Sequence, residues 1–124
     1  MMYRAHVFGK HGCAKCEALK RRLAKLLEEP KYADVEMVYH DILTEAGIVE
    51  FCKADCINPN RIPALVMERI GDGYIEAFRE DTPDVYADSV MYNWVGIQTD
   101  YDKGGGLITP ATIQAVLDEA LASG

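Results

Sequence analysis

Cys13 and Cys16 stand three positions apart in the run Phe8-Gly9-Lys10-His11-Gly12-Cys13-Ala14-Lys15-Cys16. A short apolar stretch (Ala5, Val7, Phe8) precedes them, and a segment with helical periodicity follows. A thiol at the start of a helix faces unpaired first-turn amides and the positive end of the helix dipole, and both favour an anion. That anion is the Cys13 thiolate. A thiolate attacks a disulfide, and a second thiol one turn later can resolve the mixed disulfide that forms. The spacing therefore points to dithiol–disulfide exchange, with Cys13 as nucleophile and Cys16 as resolving thiol. Lys10 and Lys15 either favour the thiolate or are solvated surface residues. His11 is a proton donor, a ligand or a plain loop histidine.

Cys52 and Cys56 leave more than one reading open. Four residues apart, they share a helical face with Ile48, where a free cysteine is often a small buried hydrophobe. The helix they end leads through seven residues to Pro63, and a second reading has Cys56 passing electrons to the Cys13–Cys16 pair. A third reading joins Cys13, Cys16, Cys52 and Cys56 in a four-cysteine zinc site, with an iron–sulfur cluster as a weaker variant.

The elements that must position these thiols are legible from periodicity and turn chemistry. Residues 3–8 read as a strand. Leu19, Leu23, Leu26 and Leu27 then recur at helical spacing until Glu28-Glu29-Pro30 stops the helix. Val35 to Tyr39 is a second strand, and Thr44 caps a helix to about Cys56, with Ile48, Phe51, Cys52 and Cys56 on or near one face. Ala64 to Ile70 and Tyr74 to Phe78 form a hairpin across Gly71-Asp72-Gly73. Thr109-Pro110 opens a last helix with Ile113, Val116, Leu117 and Leu121 facing inward. His6 is expected in the core or hydrogen-bonded, and His40-Asp41 at a turn. The order β-α-β-α-β-β-α gives an α/β fold with a four-stranded mixed sheet flanked by helices.

Residues 80–106 lie outside that order, as an insertion before the last helix. They carry six acids, one base and the aromatics Tyr86, Tyr92, Trp94 and Tyr101. The expectation is a segment that decorates the fold, its rings packed over the sheet, without entering the chemistry.

With 124 residues, 49% apolar and 27% charged, the chain should form one domain spanning residues 1–124. No stretch approaches the apolar length of a membrane span, and no leader is expected ahead of a strand that begins at Tyr3. Four cysteines in such a chain do not read as a secreted disulfide framework, so a reducing cytoplasm is expected. The net charge of −7 hides a basic start: residues 1–27 hold seven basic residues against one acid. Nucleic-acid binding would need interleaved aromatics as well, and is not expected. The positive field either belongs to a solvated helix face or steers acidic partners to the thiols.

The element order, with Cys13-x-x-Cys16 after the first strand and Ile62-Pro63 opening the third, resembles the thioredoxin fold, and within it the glutaredoxin-like branch. The resemblance covers residues 3–79 and 107–122. It implies that Ile62–Pro63 is a cis bond beside the thiols and that Ile62 and Pro63 position the substrate. Lys10 matches the glutaredoxin lysine three residues before the first cysteine, and Gly104-Gly105-Gly106 could stand for the Gly-Gly before the last helix. Ala14-Lys15 replaces the Pro-Tyr of glutaredoxins, Gly12 the tryptophan of thioredoxins, and Val7 their buried acid. Leu107-Ile108-Thr109 lacks the acid that helps glutaredoxins hold glutathione. The resemblance implies a monomeric disulfide reductase or electron carrier without a cofactor. Its partners would be a protein disulfide and a thiol reductant, either glutathione or a reductase. A metal-binding protein and a non-catalytic binding module are the competing classes.

Overall fold

The computed structural model describes residues 2–54, 62–76, 89–91, 94–99 and 108–123. Strand β1 (Tyr3–Gly9) pairs in parallel with β2 (Val35–Asp41), and helix α1 (Ala14–Leu26) forms the crossover between them. On the other side of β1 lies β3 (Ala64–Arg69), antiparallel to it. Side chains alternate along β1. Tyr3, Ala5 and Val7 face the main core, with Leu65, Met67 and Ile97 beside them. Leu19 and Leu23 of α1 close that core together with Ile113, Val116 and Leu117 of α3 (Pro110–Ala122). The opposite face of the sheet presents Phe8, Ala64 and Val66 to Phe51 and Ala54, which belong to α2 (Glu45–Lys53) and its end. Tyr32, fully buried, donates its hydroxyl to Asp118 Oδ1 at 2.7 Å and so ties the α1–β2 connection to α3.

The mixed sheet with helices on both faces agrees with the sequence reading, but its fourth strand does not come from one hairpin arm. β4 (Gly73–Tyr74) pairs with the far end of β3, Arg69 opposite Gly73 and Glu68 opposite Tyr74. The next places along β3 are taken by β6 (Gly96–Thr99), with Val66 opposite Gly96 and Ala64 opposite Gln98. The splice is hydrogen-bonded: Met67 N–H donates to Val95 O at 2.8 Å, and Val95 N–H donates to Ile75 O at 2.6 Å. An isolated antiparallel bridge pairs Glu76 with Trp94. β5 (Ser89–Met91) adds an outer strand to β6, giving six strands in the order β2-β1-β3-β6-β5 with β4 beside β3.

Two expectations are thereby corrected. The hairpin arm read as Tyr74 to Phe78 is an ordered strand only at Gly73–Tyr74, and Phe78 lies outside the described residues. The stretch 80–106 is no decoration, since Val95 and Ile97 are core residues. Tyr86, Tyr92 and Tyr101 lie outside the described residues, while Trp94 packs against the α2-side cluster.

Helix α2 also differs from the reading that put Ile48 and Cys52 on its inner face. Gly47, Phe51 and Ala54 point inward, and Ile48 and Cys52 are exposed. The rotation is set by the capping turn, in which Thr44 Oγ1 accepts from Gly47 N–H at 3.0 Å and donates to Asp41 O at 2.7 Å. A Cβ on Gly47 would run into the Asp41 carbonyl, which is backbone and cannot swing away. Gly47→Ala gains roughly 1 kcal/mol of helix propensity against an overpacking cost of about 3 kcal/mol. Urea unfolding should show a clear net loss of stability, and an unchanged midpoint would count against this packing.

Candidate exchange site at the start of α1

β1 ends at Gly9, and four residues later Cys13 caps α1 in an extended conformation. Cys16 N–H donates to Cys13 Sγ at 3.2 Å, and Glu17 N–H donates to Cys13 O at 3.1 Å. Cys13 is half-buried, whereas Cys16 is 0% exposed. Burial, followed by its hydrogen bond to Cys13, pushes the Cys16 thiol up to about 12. The pair is thus asymmetric: an accessible sulfur that accepts an amide proton, and an enclosed thiol that keeps its own.

The enclosure depends on Gly9. A Cβ there would meet Cys16 Cβ at 2.9 Å, Cys16 Sγ at 3.0 Å and Tyr39 Oη at 3.1 Å. The bare glycine therefore lets the second thiol lie flush on β1. Tyr39, opposite Val7 on β2, brings its phenol to the same place. Burial, as the largest cause, pushes that phenol up to about 12, so it stays neutral. Lys20 Nζ sits 4.1 Å above the Tyr39 ring. Neither Gly9 nor Tyr39 carries a sequence signal for this role.

Pro63 directly precedes Ala64, which the β1–β3 register sets opposite Phe8. The Ile62–Pro63 bond is cis, as the resemblance implied. Ile62 is buried in one cluster with Phe8, Cys16 and Phe51, and Cys13 packs at its border. Of the flanking lysines, Lys10 is exposed, and its carbonyl accepts from Cys13 N–H at 3.3 Å. Lys15 is half-buried in the first turn of α1, and His11 is exposed.

Cys52 is not brought to this site as a buried neighbour; it sits exposed on α2. Cys56 lies outside the described residues. Among the described residues no three metal-ligating side chains converge.

The histidines form a separate chain on the α2 side of the sheet. His6 Nε2 lies 2.8 Å from Glu68 Oε1, and His6 Nδ1 lies 2.7 Å from His40 Nε2. With Nε2 on Glu68 and Nδ1 on His40, both ring nitrogens of His6 have a hydrogen-bond partner. His6 is thus the hydrogen-bonded core residue expected, while His40 is part of β2 rather than a turn. Burial and His6 lower the His40 pKa below its ordinary value. A histidine depressed in the folded state contributes stability that is complete above its unfolded pKa of about 6.5 and fades as pH falls through its folded value. Thermal midpoints should therefore drop on acidification from pH 7.5 towards 5. His40→Gln, which keeps a hydrogen-bonding group for His6, should flatten that slope, and an equally steep profile would contradict the assignment.

No protein-family profile matches the chain, and no curated protein matches its sequence significantly. Solved structures do match its shape. Mitochondrial thioredoxin 3 of Saccharomyces cerevisiae, in its oxidised form, superposes with a TM-score of 0.53 at 17% identity, over 94% of this chain and 77% of that one. Thioredoxin O2 of Arabidopsis thaliana, also oxidised, gives a TM-score of 0.48 at 20% identity, over 64% of this chain and 65% of its own. At such identity the yeast superposition speaks for architecture alone: this chain has the thioredoxin fold.

Proposed function

We propose that the protein is a thiol–disulfide oxidoreductase acting on protein disulfides. The observation that carries this reading is the asymmetry of the helix-start pair, with Cys13 accessible and accepting an amide proton, and Cys16 enclosed and protonated. Cys13 thiolate attacks one sulfur of the substrate disulfide, forming a mixed disulfide and releasing the other sulfur as a thiolate that takes up a proton. Cys16 then attacks Cys13 Sγ and gives up its proton, so that the second substrate thiol leaves and a Cys13–Cys16 disulfide remains. Two electrons pass to the substrate. A thiol reductant, glutathione or a reductase, returns two electrons to the pair, and a reducing compartment such as the cytoplasm suits that cycle. Lys10 and Lys15 add positive charge around the attacking sulfur, and the Ile62–Pro63 segment positions the substrate beside it.

The test is turnover. With dithiothreitol as reductant, the protein should accelerate insulin disulfide reduction, and the Cys13–Cys16 pair should cycle between dithiol and disulfide by thiol counting. A chain that leaves the uncatalysed rate unchanged would lose this assignment.

A further inference from the structure

The carbonyl oxygen of Pro63 accepts two hydrogen bonds, and one residue supplies both. Thr99 N–H donates to it at 3.2 Å, and the Thr99 hydroxyl donates at 2.7 Å. Thr99 is 0% exposed and ends β6, immediately after the last β3–β6 pair, Ala64 with Gln98. Any residue at that place could offer the backbone bond. The second bond requires a hydroxyl, and a β-branched threonine holds it in a restricted rotamer. Water is excluded there, so the hydroxyl has no competing partner to satisfy it.

This contact lies on the path between substrate and thiols. On one side Pro63 follows Ile62, which shares a buried cluster with Cys16 and touches the region of Cys13. On the other side it is pinned to β6, which the pairs Ala64 with Gln98 and Val66 with Gly96 hold against β3. We propose that Thr99 is a positioning residue of the exchange site. Its hydroxyl fixes the Pro63 carbonyl and thereby holds the Ile62–Pro63 segment at the distance from Cys13 that an extended polypeptide disulfide requires. This rests on the oxidoreductase reading above and deepens it, because it predicts a preference for polypeptide over small disulfides. Thr99 touches no reacting atom, so its effect appears in how substrate is presented rather than in the reactivity of Cys13.

Thr99→Val removes the hydroxyl at nearly constant shape, and Thr99→Ser restores it. With dithiothreitol as reductant, Thr99→Val should lower kcat/KM for a disulfide-bonded peptide about tenfold, chiefly through KM. Reduction of bis(2-hydroxyethyl) disulfide and the rate of Cys13 alkylation by iodoacetamide should stay within twofold of wild type, and Thr99→Ser should recover the peptide rate. An unchanged peptide rate, or an equal fall for peptide and small disulfide, would overturn the positioning role while leaving the oxidoreductase reading intact. A wild-type chain that reduces neither substrate would overturn both. Should Thr99→Val not fold, Thr99→Ala against Thr99→Ser gives the same contrast.

Discussion

Cys13→Ser should abolish disulfide reduction, whereas Cys16→Ser should stop the reaction halfway with the substrate covalently attached. The two outcomes differ because the thiols differ in place. Cys13 is half-buried with its sulfur accepting the Cys16 amide at the start of α1, where the dipole favours a negative sulfur. Serine keeps the cap but is a far weaker nucleophile, so turnover should fall by roughly a thousandfold or more. Cys16, sealed against Gly9 and pushed up to about 12, is unsuited to the first attack but sits one turn from the mixed disulfide it must resolve. Cys16→Ser should therefore accumulate a reducible adduct at Cys13 that mass spectrometry identifies. Iodoacetamide at mildly acidic pH should label Cys13 before Cys16. It should also precede Cys52, which is exposed but lies near the C-terminal end of α2, where carbonyls rather than amides are unpaired. Equal trapping by both serine variants, or first labelling at Cys52, would show that the roles are assigned wrongly.

Excising residues 80–106 and bridging the gap with a short Gly/Ser linker should leave a chain that no longer unfolds cooperatively. The deletion removes β5, β6 and the splice at Val95. Val95 and Ile97, at 1% and 0% exposure, are core side chains facing the α1–α3 layer. Their burial contributes about 1.5–3 kcal/mol each, already a large part of a typical total of roughly 5–15 kcal/mol. Loss of the β6 ladder also uncovers the β3 edge beside Pro63, leaving its carbonyl without either Thr99 donor. Ile97→Ala gives a graded version, expected to cost about 2–4 kcal/mol by urea unfolding. A deletion variant with a sharp transition at the wild-type midpoint would mean that another segment replaces β6.

Much of the exchange site was legible without coordinates because its parts are local. Cys13 and Cys16 lie on one helical turn, and the apolar stretch before them and the leucine periodicity after them fix a strand-to-helix junction. The caps at Thr44 and Thr109 are equally local, since each side chain bonds an amide three residues on. The cis bond at Pro63 followed from a resemblance that those same motifs carried. The long-range decisions were different. Which face of α2 turns inward rests on Gly47 approaching the Asp41 carbonyl, and a helical wheel containing Ile48, Phe51 and Cys52 does not encode that contact. Gly9 and Tyr39 acquire their places around Cys16 only when β1, β2 and α1 pack together. The fourth strand is the sharpest case. The sequence pattern reads Tyr74 to Phe78 as one hairpin strand and leaves Val95 to Thr99 outside the sheet, and nothing in either segment specifies the other as its continuation. Only the row of backbone groups on β3, which must all be paired once the sheet is buried, joins them into one line and places Thr99 on Pro63.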